Sequence, residues 1–203
     1  MSIEDHPAPR PVHNSETVHS TPIFDVVEDQ VVLQEGGEPV TRAYLRHPGA
    51  VAIVAVDEQG RVLLLRQYRH PVGAQLWEIP AGLLDIAGEP LLETAKRELY
   101  EEADLQAERW SQLIDHLPSP GSTDETVRIY LAEGLTEVPE DARHPREHEE
   151  AEIITRWVPT AELVEAVLSG AVRNANTVIG ALALQALRHR CGTEAGHQYT
   201  AGR

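Results

Sequence analysis

Basic residues, cysteine, aromatic residues and long apolar runs are all scarce in this chain of 203 residues. Its 17 Lys and Arg against 33 Asp and Glu give a net charge of −16, which argues against a nucleic acid partner. The single Cys191 has no second cysteine for an internal disulfide. No apolar run approaches the roughly 18 residues of a membrane-spanning helix, and the polar, proline-rich start lacks the regions of a signal peptide. We therefore expect a cytoplasmic protein without membrane contacts.

The low aromatic content also constrains the core. With 4% aromatics and one Phe, the interior must be built mainly from Val, Leu, Ile and Ala. The length suits one domain of about 150 residues with tails. The apolar patterns predict strands near 24–33, 39–46, 50–56, 61–69, 107–116, 125–133 and 152–158, and helices near 89–103, 160–168 and 174–189, the last capped by Asn174.

Three carboxylates fall on one face of the helix predicted at 89–103. Glu98 precedes Glu101 by three positions and Glu102 by four, so at about 3.6 residues per turn all three project to the same side. Like charges so spaced repel, whereas Mg²⁺ binds carboxylates together with water and phosphate oxygens. A solvated acidic face is the alternative interpretation. The turn Ile79–Asp85, directly before this helix, favours a site.

This segment resembles the Nudix box, in which Gly, five residues, Glu and seven residues precede Arg-Glu-aliphatic-any-Glu-Glu-any-Gly-aliphatic. The matching residues are Gly82, Glu89, Arg97, Glu98, Leu99, Glu101, Glu102 and Leu105. Two positions depart from the pattern. Six residues separate Gly82 from Glu89, where Gly88 can ease the longer loop, and Asp104 stands at the late glycine. Because Asp tolerates left-handed backbone better than most residues, Asp104 can end the helix there.

The resemblance implies an α/β fold, specifically an α/β/α sandwich with a mixed sheet. It divides the chain into a flexible tail at 1–20, a β-strand region at 21–47, the Nudix domain at 48–190 and a flexible tail at 191–203. In ADP-sugar hydrolases of this family, N-terminal strands help to build a dimer and its substrate site. A homodimer formed through residues 21–47 is therefore expected from the resemblance.

The resemblance also implies the metal site. Glu98, Glu102 and the carbonyl of Ala81 are expected to bind Mg²⁺ or Mn²⁺, while Glu101 completes this site or bridges to a second metal ion. Gly82 belongs to the same structural motif. Arg97 is expected to hold the loop through Glu89 rather than to touch substrate, because its guanidinium suits a fixed carboxylate.

A separate general base is expected, because carboxylates already bound to metal are poor proton acceptors. The acidic stretch at 148–152 resembles the loop that supplies the catalytic glutamate in ADP-ribose pyrophosphatases. Glu149 is the first choice and Glu150 the second. Without the family context this stretch would be interpreted as a solvated charged loop.

Residues outside the box suggest the subgroup. The turn around Pro120, and the stretches 66–71 and 77–82, look like those of bacterial ADP-ribose pyrophosphatases, although a Pro-Ser-Pro-Gly sequence is also an ordinary turn. Arg69 is a candidate phosphate ligand by this resemblance, and Arg42 could reach the ribose phosphate across a dimer. The adenine ring would need an aromatic partner, for which the candidates are Phe24, Tyr44, Tyr68 and Trp77.

The resemblance therefore predicts Mg²⁺-dependent hydrolysis of ADP-ribose to AMP and ribose 5-phosphate. Three alternatives stay open: hydrolysis of another nucleoside diphosphate sugar, hydrolysis of oxidised nucleoside triphosphates, and a non-catalytic module that senses ADP-ribose or NAD. Glu98, Glu101 and Glu102 argue against the sensor, and the turn at Pro120 argues against the triphosphates.

Overall fold

The structure is a computed structural model that describes residues 3–145 and 153–197, the last seven without their side chains. No helix in this part of the chain is long and apolar enough to cross a membrane. The strands and helices are β1 (Val12–Ser20), β2 (Asp25–Val31), β3 (Val40–Arg46), β4 (Ala50–Ala55), β5 (Arg61–Arg69), β6 (Ala74–Glu78), β7 (Ala81–Leu83), α1 (Leu91–Ala103), β8 (Leu105–His116), β9 (Val127–Glu137), β10 (Ile154–Pro159), α2 (Thr160–Leu168) and α3 (Ala175–His197).

The first of two compact units is an antiparallel sheet in the order β1-β2-β3, formed by the chain up to Gly49 together with Ser119–Glu125. The predicted strands near 24–33 and 39–46 are β2 and β3. The predicted tail at 1–20 is wrong for Val12–Ser20, which pair with β2 as β1. Every residue of β1 is exposed, so backbone hydrogen bonds to β2 rather than side-chain burial hold this strand in the sheet. Because β1 has no buried apolar face, its sequence lacks the alternating pattern from which a strand is predicted.

The segment around Pro120 belongs to this first unit and forms the predicted turn. Ser122 N–H donates to the carbonyl of Ser119 at 2.9 Å. The segment also pairs with β3, because Leu45 N–H donates to the carbonyl of Ser122 at 2.9 Å. The turn is therefore fixed to the strand that carries Arg42.

The second unit contains two further sheets, ordered β10-β5-β6 and β7-β4-β9-β8. β4 runs parallel to β9, and every other pair in these two sheets is antiparallel, so the four-stranded sheet is mixed as expected. All six residues of β4 are buried. This continuous apolar strand, Ala-Val-Ala-Ile-Val-Ala, is explained by helices that cover both of its faces.

Helix α1 lies on one side of the sheets, and α2 and α3 lie on the other. Alternate residues of β4 enter two apolar clusters: Val51 and Ile53 pack with Ala95 and Leu99 of α1, while Ala52 and Val54 share a cluster with residues of α2 and α3 such as Leu163 and Leu184. The predicted α/β/α layering of the second unit is confirmed. The core is aliphatic, as the composition indicates.

Two helix ends follow the local signals expected for them, and a third lies beyond its predicted position. α1 ends at Asp104, which adopts the left-handed conformation with φ of 54°. Asn174 precedes α3, and its Oδ1 accepts from Thr177 N–H at 3.1 Å, which confirms the predicted cap. Helix α3 continues to His197, beyond the predicted end near 189 and into the segment expected to be a flexible tail.

Candidate active site

The segment between β6 and α1, which includes β7 and is called the box loop, carries the backbone group expected to face a metal ion. Ile53 N–H of β4 donates to the carbonyl of Pro80 at 2.8 Å. Because hydrogen-bonded and non-bonded pairs alternate in antiparallel ladders, the next pair, Ala52 with Ala81, is a non-bonded pair. The N–H and carbonyl of Ala81 therefore both point away from β4.

Glu102 accepts a hydrogen bond from the Ala81 N–H. Its Oε2 accepts from the Ala81 nitrogen at 2.9 Å, and the residue is only 7% exposed. The N–H and carbonyl of an extended residue lie on the same side of the strand, so the Ala81 carbonyl also faces α1. The loop thus presents one backbone oxygen to the helix that carries the three glutamates.

Glu98 lies against the same loop, with its carboxyl group packed on Gly82. A Cβ added to Gly82 would overlap this carboxyl group, so any larger residue there would force the Glu98 side chain to move. The Glu98 side chain is 12% exposed. Burial raises its pKa to about 7, and the nearby charges of Glu101 and Asp85 add to the rise while Arg97 opposes it.

Arg97 connects the box loop with the helix. The expected contact with Glu89 is present, with Nη2 at 3.1 Å from Glu89 Oε2, and the bond from Arg97 lowers the pKa of Glu89. Thr94 Oγ1 also donates to Glu89 at 2.9 Å. Arg97 Nη1 further contacts Glu98 Oε1 at 2.6 Å and Glu101 Oε2 at 3.3 Å. One guanidinium thus offsets part of the negative charge of both loop and helix.

The donor set fits a hard divalent cation in its chemistry. Three carboxylates and the Ala81 carbonyl are all oxygen ligands of the kind Mg²⁺ prefers. Within residues 3–145 and 153–197, however, no three acidic, His or Cys side chains already converge on one point. Glu98 and Glu101 share the cation of Arg97 instead.

Arg69, the candidate phosphate ligand, is held by a buried carboxylate. Its Nε and Nη2 donate to the two oxygens of Glu78 at 3.0 and 2.7 Å. Glu78 is 4% exposed, while the Arg69 side chain is about half exposed. Glu78 ends β6, directly before the loop that carries Ala81, so this ion pair ties Arg69 to the same segment.

Four predicted site residues are not among those that these contacts connect. Arg42, on β3, and Pro120 are exposed residues of the first unit, and Arg42 Nη1 donates to the carbonyl of Thr41 at 2.9 Å. Glu149 and Glu150 fall outside the described residues. The structure therefore groups Ala81, Gly82, Glu89, Arg97, Glu98, Glu101 and Glu102.

Comparison with known proteins agrees with this geometry. The model of the NUDIX domain matches residues 46–178. The chain belongs to the Nudix hydrolase family. It is 49% identical to an ADP-ribose pyrophosphatase of Mycobacterium tuberculosis, over 86% of this chain and 82% of that protein. It is 35% identical to an ADP-ribose pyrophosphatase of Bacillus subtilis, over 84% and 89% of the two chains.

The fold agrees as well. A crystal structure of an ADP compounds hydrolase, 22% identical in sequence, superposes with a TM-score of 0.75 over 93% of this chain and 99% of that one. The predicted α/β Nudix fold is thereby confirmed. The relatives of this chain support a role in hydrolysing a substrate that is linked through a nucleoside diphosphate.

Three contacts around this Nudix site were not predicted from the sequence. They are Glu78 with Arg69, Thr94 with Glu89, and Asp85, whose Oδ1 accepts from Arg97 at 3.3 Å. Nothing in the sequence around Asp85 or Thr94 indicates that these residues contact the site. Glu78 could have been found, because a carboxylate between Trp77 and Ile79 stands out within an apolar stretch.

Proposed function

We propose that this Nudix hydrolase cleaves the pyrophosphate bond of ADP-ribose to AMP and ribose 5-phosphate, with Mg²⁺ or Mn²⁺ as cofactor. The observation that carries the proposal is that Glu102 binds the backbone N–H of Ala81 and Glu98 packs on Gly82, while Glu101 shares the Arg97 guanidinium with Glu98. The preference for ADP-ribose is supported by the two relatives of that name. The glutamates also argue against a module that only senses the nucleotide.

The proposed metal ligands are Glu98, Glu101, Glu102 and the Ala81 carbonyl. The bound ion would neutralise phosphate oxygens and lower the pKa of a bound water. Glu102 keeps the Ala81 carbonyl facing α1 by holding the N–H of the same residue. Gly82 leaves room for the Glu98 carboxyl group.

Hydrolysis adds one water across the P–O–P bridge. The oxygen of that water forms the new P–O bond, the bridging P–O bond breaks, and the leaving phosphate keeps its electron pair. We assign the acceptance of the water proton to Glu149, with Glu150 as the second choice. The support for this assignment is the resemblance of the 148–152 stretch to the base-carrying loop of ADP-ribose pyrophosphatases.

Substrate binding is assigned to Arg69, Arg42 and Pro120. The ion pair with Glu78 restrains the Arg69 guanidinium, and a restrained guanidinium loses less side-chain entropy when it binds a phosphate. Arg42 and Pro120 have the support of the family resemblance alone. Arg42 is exposed, as a ligand for an incoming phosphate must be.

We also propose that the enzyme is a cytoplasmic homodimer built through the N-terminal strands. β1 is a nine-residue, fully exposed strand at the edge of its sheet. A long exposed edge strand offers unpaired backbone groups to another chain. Light scattering after size exclusion should give twice the chain mass of 22.4 kDa, and removal of residues 1–20 should shift the protein toward monomer.

The substrate is tested with a panel. Purified protein with Mg²⁺ is incubated with ADP-ribose, ADP-glucose, GDP-mannose, NADH, a diadenosine polyphosphate and nucleoside triphosphates, and the products are separated by chromatography. We expect ADP-ribose to give AMP and ribose 5-phosphate with the highest kcat/KM. Preference for another nucleotide sugar or a triphosphate would overturn the substrate assignment. If no compound were turned over, the proposal that the protein is an active hydrolase would be overturned.

A further inference from the structure

The backbone that presents Ala81 is held from three directions. Glu102 of α1 binds the N–H of Ala81, and Ile53 of β4 binds the carbonyl of Pro80. The third contact comes from Thr177 in the first turn of α3, 98 positions away from Ile79 in the sequence. None of the proposed metal ligands lies on α3, so this contact needs its own explanation.

The Thr177 hydroxyl can act as both acceptor and donor toward the backbone before Ala81. Oγ1 accepts from Ile79 N–H at 3.0 Å, and it can donate to the carbonyl of Trp77 at 3.3 Å or to Asn174 Oδ1 at 3.2 Å. The residue is 0% exposed. No solvent can therefore replace the hydroxyl, and its loss would leave a buried N–H unpaired.

A close helix contact fixes the position of that hydroxyl. Gly180 lies one turn after Thr177, and a Cβ there would come within 2.8 Å of Val54 Cγ2 and 3.3 Å of Ile79 Cδ1. Glycine thus lets α3 approach β4 and the Ile79 side chain closely. Hydrogen bonding at Thr177 and packing at Gly180 hold the same residue, two positions before Ala81.

We propose that Thr177 is a positioning residue for the metal site, which acts through Ile79 to hold the Ala81 carbonyl toward α1. This inference rests on the proposed role of Ala81 as a metal ligand. Backbone that is held in place before the ion arrives need not be ordered upon binding, so the hydroxyl contributes to metal affinity without touching the ion.

The test compares isosteric and conservative variants. Thr177→Val removes the hydroxyl with little change in shape, and Thr177→Ser restores it. The control is Thr160→Val, because Thr160 is also buried at a helix start and its Oγ1 bonds a backbone carbonyl, that of Gly60, at 2.9 Å. Thr160 contacts neither the loop nor the glutamates in its hydrogen bonds.

Mn²⁺ binding is measured by electron paramagnetic resonance without substrate, and melting temperature and kcat are measured beside it. We expect Thr177→Val to weaken Mn²⁺ binding by roughly tenfold or more and to lower kcat, while Thr177→Ser stays close to the parent. Thr160→Val should lose stability and keep its Mn²⁺ affinity. Equal Mn²⁺ affinity in Thr177→Val and the parent, both measured on fully folded protein, would overturn the proposal.

The outcome is separable from the fate of the proposed reaction. A parent protein that binds Mn²⁺ and cleaves nothing in the panel would remove the reaction, and the affinities would still decide the role of Thr177. If Thr177→Val does not fold, hydrogen exchange on the parent gives the decision. The Ile79 amide should exchange with solvent only through global unfolding, and therefore as slowly as the most protected amides of the protein. Fast exchange of this amide would overturn the proposal.

Discussion

The Glu98 carboxyl group occupies the space that a side chain at Gly82 would need. The first prediction follows from this contact. Gly82→Ala should displace Glu98 and lower kcat/KM by about tenfold or more, with a smaller effect on melting temperature, because the displaced group is a proposed metal ligand. Steady-state kinetics at several Mg²⁺ concentrations measure this loss.

The control for Gly82→Ala is Gly170→Ala. Gly170 has a φ of +76° and no atom within 4 Å of an added Cβ, so alanine there strains the backbone without touching the site. It should lower stability and leave kcat/KM unchanged. Similar activity in both variants would show that the Glu98 position is unimportant for turnover.

The local part of the site could be predicted from the sequence, and the long-range part could not. The acidic face of α1 follows from residue spacing alone, and the left-handed backbone at Gly88 and Asp104 follows from residue type. The contact of Thr177 with Ile79 depends on how α3 docks, which no local pattern encodes. β6 and β7 were not predicted because they are short and Pro80 interrupts them.

Asp104 provides the second prediction. Among the described residues other than glycine, it alone has a positive φ, at 54°. Asp104→Gly and Asp104→Ala both remove the carboxylate and differ only by a Cβ in left-handed backbone. Asp104→Ala should therefore be less stable by about 1 kcal/mol in chemical denaturation. Equal stability of the two variants would show that this helix end can relax.

The third prediction concerns the proton acceptor. Glu149→Gln should abolish turnover and retain Mn²⁺ binding, because the amide keeps the size of the side chain and cannot accept the proton of the attacking water. Glu150→Gln is the matched control at the neighbouring position and should keep most of the activity. Full activity of Glu149→Gln combined with an inactive Glu150→Gln would reverse the two assignments.

The fourth prediction uses the pKa of Glu98 in the metal-free protein. The fold raises this pKa from 4.5 to about 7, so the folded state favours the neutral acid. The resulting destabilisation is absent below pH 4.5, grows as the pH rises toward 7, and is complete above that. Glu98→Gln is neutral at every pH and escapes this cost.

With EDTA present, Glu98→Gln should therefore be more stable than the parent at pH 8, on the order of 1–3 kcal/mol, and similar to it near pH 4.5. Urea denaturation at the two pH values measures the difference. Addition of Mg²⁺ should stabilise the parent at pH 8 and have little effect on the variant, because the ion replaces the proton as the partner of Glu98. A variant that is inactive and also less stable than the metal-free parent at pH 8 would show that Glu98 supports the fold rather than the ion.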